Sequence, residues 1–151
     1  MNRRLKVFFD HKGNVIHSVS GDATIKMAVG IMNQYHIGAL MVLNFDGLIE
    51  GIVTERDVMK LLGSTDEVVG HLPVRQIMTP KEKLIIGNGD DTIEHIMNMM
   101  KDNNIRHIPI INEFDELQGV LSMRDIIRIL LADSKNKITD LNNYIMGKYP
   151  S

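Results

Sequence analysis

Short apolar runs and amphipathic stretches alternate along the chain, and this pattern predicts both strands and helices. Apolar residues over 39–43 and 48–53 have the length of buried strands, and the intervening residues 44–47 favour a hairpin turn. A short strand near residues 15–19 precedes them, and a further helix is predicted to begin near Glu55. One face of an earlier helix is marked by the i, i+3, i+4, i+7 spacing of Ile25, Ala28, Val29 and Met32.

The same pattern returns 68 residues later without a gap. Residues 51–57 read G-h-h-T-x-R-D, where h is apolar, and residues 119–125 read G-h-h-S-x-R-D. The second helix face carries Ile93, Ile96, Met97 and Met100, and the predicted N-caps of the two helices are Thr24 and Thr92. The strands and the final short helix of the second copy are predicted over 84–86, 108–111, 117–121 and from Met123. The chain is therefore predicted to be an α+β protein built from two strand–helix–strand–strand–helix repeats.

The repeats are predicted to occupy residues 7–63 and 74–132. A polar connector, residues 64–73, joins them and is expected to cross the surface. Because each repeat has only about 60 residues and is small for independent stability, the two are expected to bury their apolar faces together. Residues 133–151 form a tail with a helically spaced apolar stripe that could dock on the body or on a partner subunit: Ile138, Leu141, Tyr144 and Ile145.

Composition and charge exclude several classes of function. The 151 residues include no cysteine, which excludes disulfides, thiolate zinc sites and thiol catalysis. A net charge of −2 argues against nucleic-acid binding. No apolar run has signal-peptide length or approaches the roughly 20 residues of a membrane span, so we expect a cytoplasmic protein without a membrane partner. No Walker A loop, nucleophile elbow or metal-binding cluster is visible, so neither catalysis nor a metal site is predicted.

The repeated motif has two interpretations. Thr54 and Asp57, like Ser122 and Asp125, have the spacing of a helix capping box, which is a structural role. The same arrangement also suits a nucleotide, because a helix N-terminus favours phosphate and a carboxylate accepts hydrogen bonds from a ribose diol. The arginine before each aspartate would add charge for phosphate. Recurrence of the same polar residues in both copies favours a shared binding role.

With these motifs the chain resembles a tandem pair of CBS domains, the regulatory modules named after cystathionine β-synthase. The resemblance spans residues 7–132. It rests also on residues 74–80, similar to the beginning of the family's second domain, and on residues 106–111, similar to its central strand. It implies two βαββα repeats related by a pseudo-twofold axis and packed through their sheets, two clefts for adenosine-type ligands, and a homodimer.

The resemblance also implies site residues, drawn from both repeats in each cleft. In each cleft the aspartate would hold the ribose and apolar strand residues would enclose the adenine, with Arg56, Arg124 and Arg106 available to phosphate. Arg106 belongs to the first cleft, which is therefore expected to favour a charged phosphate more strongly than the second. The first cleft combines Thr54 and Asp57 with Thr79, Ile85, Arg106 and His107, and the second combines Ser122 and Asp125 with His17, Ile37, Gly38 and Ala39.

Three functions are compatible with these observations. The leading hypothesis is a non-catalytic sensor of AMP, ADP or ATP, with Mg²⁺ able to accompany a polyphosphate, that signals in trans to an unidentified protein target. NADH and S-adenosylmethionine are alternative ligands, because they share the adenosine that the motif would recognise. The second hypothesis is an assembly module that dimerises without a ligand. The third is an enzyme with an unfamiliar site or a nucleic-acid binder, and the net charge disfavours the latter.

Overall fold

The computed structural model describes Leu5 and residues 15–146, which form an α+β structure with two sheets and four helices. These residues divide into two compact units. The first unit covers residues 15–85, and the second covers residues 86–146 together with Leu5. Leu5 is fully buried, and its backbone N–H donates a hydrogen bond to the carbonyl oxygen of Asp91 at 3.1 Å.

The first unit contains a four-stranded sheet in the order β1-β2-β3-β4. Strands β1 and β2 are parallel because the helix between them carries the chain back to the same end of the sheet, and the other neighbours are antiparallel. Short 3₁₀ turns at Val74–Gln76 and Lys81–Lys83 flank β4. The elements are β1 (Ser18–Val19), α1 (Ile25–Tyr35), β2 (Ala39–Leu43), β3 (Ile49–Thr54), α2 (Glu55–Ser64) and β4 (Thr79–Pro80).

The second unit contains a three-stranded sheet in the order β5-β6-β7. Its first pair is parallel and its second pair antiparallel, as in the first unit. The predicted order of strand, helix, strand, strand and helix is confirmed in both repeats. The elements are β5 (Gly87–Asn88), α3 (Ile93–Asn103), β6 (His107–Ile111), β7 (Leu117–Ser122) and α4 (Met123–Ile145).

The predicted caps and apolar faces of α1 and α3 are confirmed. The hydroxyl oxygens of Thr24 and Thr92 each accept a hydrogen bond at 3.1 Å from the backbone N–H of the third helical residue. Both helices end at a residue with left-handed backbone, His36 with φ 55° and Asn104 with φ 52°. The buried face of the two helices consists of Ile25, Ala28, Met32, Ile93, Ile96 and Met100, with Val29 and Met97 half-buried beside it.

Two predicted boundaries are wrong. The short strand expected over residues 84–86 lies instead at Gly87–Asn88, because Gly87 is the residue that pairs with Ile110 in β6. A Cβ atom at Gly87 would lie 2.7 Å from the side-chain tips of Ile110 and Ile96, which would have to shift to make room for it. The final helix is also not short, since α4 continues from the second repeat into the tail as far as Ile145.

The connector packs against the first helix. The carbonyl oxygens of Gly70 and Leu72 accept hydrogen bonds, both at 2.9 Å, from the first two backbone amides of α1. The first amides of a helix have no partner within the helix, so the connector supplies acceptors that α1 lacks. Val69 is buried in the same segment. The expected surface crossover is therefore anchored to the first unit.

Gly51 lies at a close approach between β3 and β4, where it is the register partner of Pro80. A Cβ atom at this position would lie 2.3 Å from the carbonyl oxygen of Thr79. That oxygen belongs to the backbone, so it cannot move aside as a side chain could. The glycine that opens the first motif therefore allows β4 to pair with β3.

We predict that Gly51→Ala lowers the free energy of unfolding by about 1–3 kcal/mol, because the added methyl group must displace the backbone of β4. The midpoint of thermal unfolding should fall by about 2–4 °C for each kcal/mol. Gly63→Ala is the matched control, because Gly63 lies in the exposed last turn of α2, where an added methyl group would have no neighbouring atom within 4 Å. The control should be neutral or stabilising by up to about 1 kcal/mol, and equal melting midpoints for the two variants would contradict the explanation.

Candidate ligand-binding site

The third strand of each repeat ends on a hydroxyl residue that caps the following helix. The hydroxyl of Thr54 accepts a hydrogen bond from the backbone N–H of Asp57 at 3.3 Å. In return, Oδ2 of Asp57 accepts from the backbone N–H of Thr54 at 2.8 Å and from its hydroxyl at 3.1 Å. Ser122 and Asp125 repeat this geometry, with distances of 3.1, 2.9 and 2.9 Å in the same order. The predicted capping box is confirmed at both junctions.

The two motif aspartates differ in burial. Asp125 is only 7% exposed, whereas Asp57 is half-buried. Burying a carboxylate costs free energy unless hydrogen bonds replace its water, and the two donors of Ser122 partly offset that cost. A carboxylate has about four acceptor positions. The capping bonds of Asp57 use Oδ2 alone, so they do not exhaust the acceptor capacity of its carboxylate.

Each motif lies beside the beginning of the central strand of its own repeat. Ala39 is the register partner of Thr54, and the carbonyl oxygen of Gly38 accepts a hydrogen bond from the first amide of α2 at 2.9 Å. In the second unit, His107 is the register partner of Ser122, and the carbonyl oxygen of Arg106 accepts from the first amide of α4, also at 2.9 Å. The strand registers therefore bring four predicted site residues next to the two capping boxes.

These equivalent positions carry different side chains. The first repeat has the small residues Gly38 and Ala39, and Ala39 is buried. The second has Arg106, which is exposed, and His107, which is half-buried. Each pair adjoins the motif of its own repeat through the backbone. The further expectation that each pair serves the other repeat's motif stays a prediction.

The other predicted residues of the first unit lie on several elements. Thr79, in β4, is the register partner of Ile52, two residues before Thr54. The ring of His17 lies 4.3 Å from that of Tyr35, measured between centroids, in a tilted arrangement. Half-buried positions are also occupied by Ile37, Ile85 and Arg56, whereas Arg124 of the second unit is exposed.

Arg75 makes long-range ion pairs that the sequence patterns did not indicate. Its Nη1 lies 2.6 Å from Oδ1 of Asp22, and its Nη2 lies 3.6 Å from Oε2 of Glu50. The hydrogen bond and charge of Asp22, with a smaller contribution from Glu50, raise the pKa of Arg75 above its ordinary value. Arg75 thereby ties the turn that precedes Thr79 to the rest of the first unit. Its carboxylate partners are distant in sequence, so local periodicity gave no signal.

The structure gives no indication of a metal centre or of a membrane span in the part of the chain that it describes. Residues 15–146 with Leu5 contain no group of three or more histidine, aspartate or glutamate side chains arranged to hold a metal ion. Among these same residues, the helices are too short or too polar to cross a bilayer.

Two segments of the chain, residues 12–64 and 74–132, match the family model of the CBS domain. The chain belongs to the CBS domain family. Each matched segment carries one capping-box motif. A CBS pair is a regulatory module, and other domains supply the catalysis where such modules occur within enzymes.

Similar proteins share this architecture. The mitochondrial CBS domain-containing protein CBSX3 of Arabidopsis thaliana is 33% identical over 130 residues, which cover 85% of this chain and 63% of that protein. The chain thus spans less than two thirds of that relative's length. A solved CBS-domain containing protein from Agrobacterium tumefaciens is 28% identical with a TM-score of 0.79, and the match covers 85% of this chain and 93% of that one.

Two further solved structures share the fold and hold ligands. A CBS domain pair in complex with 5′-methylthioadenosine and S-adenosyl-L-methionine has a TM-score of 0.73 at 21% identity, covering 88% of this chain and 99% of that one. A CBS domain protein of Pyrobaculum aerophilum complexed with AMP has a TM-score of 0.68 at 24% identity, covering 82% and 89%.

We predict that Ser122→Ala lowers the free energy of unfolding by about 1 kcal/mol, because α4 loses the acceptor at its first turn. Urea denaturation measures the change. Thr139→Ala is the matched control, since it removes a hydroxyl from an exposed position within the same helix. The control should leave stability unchanged or slightly raised. If both variants lose the same stability, the capping bonds of Ser122 do not stabilise the second domain.

Proposed function

We propose that this CBS pair is a non-catalytic sensor that binds an adenosine-containing ligand, AMP, ADP or ATP, at its two capping-box motifs. One observation carries the proposal. The two motifs keep the same three hydrogen bonds at the same strand–helix junction, although 68 residues separate them in the sequence. Helix capping alone does not require an arginine before the aspartate. Nor does it require a glycine, or a threonine matched by a serine, at the same positions of both domains.

The aspartate is the group that would bind ribose. The capping bonds hold the carboxylates of Asp57 and Asp125 in one orientation, so little side-chain freedom would be lost when a ligand binds. A ribose diol can donate two hydrogen bonds, and bonds to a charged acceptor are stronger than those between neutral groups. The half-buried setting of Asp57 and the burial of Asp125 would strengthen these bonds further, because water competes less.

The phosphate groups would lie near the helix starts. Helices α2 and α4 begin directly at the motifs, and a helix N-terminus carries a positive partial charge that favours an anion. Arg56 and Arg124 occupy the second helical position and supply formal charge. Mg²⁺ could accompany a bound polyphosphate, with ligands from the phosphates themselves.

Adenine is proposed to lie against apolar and small residues of the central strands and their neighbours. In this proposal Asp57 and Thr54 work with Thr79, Ile85, Arg106 and His107, whereas Asp125 and Ser122 work with His17, Ile37, Gly38 and Ala39. The ligands of the two similar structures, AMP and the pair 5′-methylthioadenosine and S-adenosyl-L-methionine, share adenosine. They support the adenosine class, and S-adenosylmethionine and NADH remain the alternatives to AMP, ADP or ATP.

The output of such a sensor is proposed to be a change in binding to a protein target in trans, by a homodimer of this chain. A ligand shifts such an equilibrium only as far as its affinity differs between the two states. A change of tenfold in target affinity would therefore require about 1.4 kcal/mol of coupling.

We predict that AMP, ADP or ATP at about 100 times its dissociation constant raises the free energy of unfolding by roughly 2.7 kcal/mol. Asp57→Asn and Asp125→Asn should each raise the dissociation constant of the site concerned about tenfold to a hundredfold, because one carboxylate oxygen and the charge are lost. Isothermal titration calorimetry measures affinity and stoichiometry separately from fold stability. Adenosine, S-adenosylmethionine and NADH complete the ligand panel.

Two controls separate ligand binding from capping. Thr54→Ala removes the cap but keeps the carboxylate, so it should lower stability more than it lowers affinity. Asp91→Asn changes a carboxylate that also accepts a hydrogen bond at a helix start, from the N–H of Asn88 at 2.7 Å, outside the motif. It should leave affinity unchanged. Absence of binding by every ligand to nucleotide-free protein would reject the sensor and favour a ligand-free assembly module.

We predict that Arg106→Ala weakens binding of ATP more than binding of adenosine, by at least about tenfold in the ratio of dissociation constants, because it removes charge from a phosphate site. The measurement is repeated in the Asp57→Asn and Asp125→Asn backgrounds. If Arg106 serves the Asp57 site, its effect disappears in the Asp57→Asn background. If the effect of Arg106→Ala disappears only in the Asp125→Asn background, Arg106 serves the Ser122–Asp125 motif, which its backbone adjoins.

A further inference from the structure

Helix α4 has two apolar faces, and only one of them is covered. Ile126 and Ile129 are buried in the second domain. A second set of apolar side chains on the same helix is between 50% and 72% exposed: Ile127, Leu131, Ile138, Leu141 and Ile145. We call this second set, together with Ser134, the α4 seam. None of its members takes part in the proposed nucleotide site.

The spacing of the α4 seam is that of a coiled coil. With Leu131, Ile138 and Ile145 at position a of a seven-residue repeat, Ile127, Ser134 and Leu141 fall at position d. An apolar stripe at positions a and d is typical of a helix that pairs with another helix, whereas packing on a globular body uses a wider face. Ser134 interrupts the α4 seam at one d position, and the exposed Tyr144 flanks it at position g. The occupant of the α4 seam is therefore expected to be a helix of the same period.

The face of α4 opposite the α4 seam changes from apolar to polar along the helix, whereas the seam stays mainly apolar. It begins with Ile126 and Ile129, which are buried, and continues with Asp133, Asn136, Asp140 and Asn143, which are polar. Helix α4 therefore loses its apolar contact with the domain beyond Ile129 but keeps the seam to its last turn. The apolar residues of the tail are therefore left exposed.

The tail helix also needs stabilisation from outside. From Leu131 to Ile145 the helix has no buried residue. A helical segment of this length is marginal in water on its own, because most helix stability in proteins comes from packing of the apolar face. A partner helix on the seam would supply that packing.

We propose that the α4 seam binds the same seam of a second copy of this chain, forming a two-stranded coiled coil that joins two CBS pairs. The charges beside the seam permit self-pairing. In a parallel pair, Lys135 would face Leu130 of the other helix and Lys137 would face Asn142. In an antiparallel pair, Lys135 would face Asn142 and Lys137 would face Tyr144. No like charges meet in either arrangement. A membrane surface fits less well, because Asp133 and Asp140 lie on the polar face. This assembly does not depend on nucleotide binding.

The first test is the mass of the full chain in solution, by analytical ultracentrifugation over a range of concentrations. We expect a dimer for the wild type, and a dissociation constant at least about a hundredfold higher for Ile138→Asp or Leu141→Asp, because a charge would be buried in the seam. Thr139→Asp, which adds the same charge on the exposed face beside the seam, is the control and should remain dimeric. A monomeric wild type, or an unchanged dimer in the seam variants, would overturn the proposal.

A second test uses the absence of cysteine from the sequence. Ser134→Cys alone should form an intermolecular disulfide if the helices are parallel, because position d then faces position d. A mixture of Ser134→Cys and Ile145→Cys should form one if they are antiparallel. Asn136→Cys, on the opposite stripe, is the control. Either cross-link supports the seam, and failure of both under oxidising conditions, or equal cross-linking of the control, would overturn it.

Discussion

The reciprocal hydrogen bonds between the last strand residue and the third helix residue, Thr54 with Asp57 and Ser122 with Asp125, are the constraint on which each domain depends. They determine where the third strand stops and in which direction the following helix leaves the sheet. They also immobilise a carboxylate at the N-terminus of that helix, in a half-buried or buried position. A structural bond thereby becomes the orienting element of the proposed ribose site.

The rest of each domain supports this junction. The central strand begins beside it, so that the carbonyl oxygens of Gly38 and Arg106 accept from the first amides of α2 and α4. In the first structural unit, β4 lies against β3 because Gly51 has no side chain, and Arg75 joins the turn before β4 to Asp22 and Glu50. The same backbone frame holds different side chains in the two domains, which is how duplicated sites can acquire different ligand preferences.

Much of this frame could be predicted from the sequence, because its determinants are local or periodic. The repeat offset, the helix faces, the N-caps Thr24 and Thr92 and both capping boxes depend on residues within one turn or one strand of each other. The position of β5 could not be predicted, since Gly87 is fixed by its contact with Ile110 in another strand. The ion pairs of Arg75 are unpredictable for the same reason, because its partners come from distant parts of the chain. The apolar stripe of the tail is evident from the sequence. The change of the opposite stripe from Ile129 to Asp133 can be interpreted only when the burial of Ile126 and Ile129 is known.

The most direct test of the account is a titration of uniformly ¹⁵N-labelled, nucleotide-free protein with AMP, followed by the backbone amide resonances. The largest shifts are expected on residues 54–57 and 122–125, where the helix starts and the motif carboxylates would meet the ligand. Residues 133–145 are expected not to respond, because the α4 seam is independent of the ligand. Saturating AMP, ADP and ATP without shifts at either motif, or with shifts confined to other surfaces, would contradict the claim that the capping carboxylates bind nucleotide.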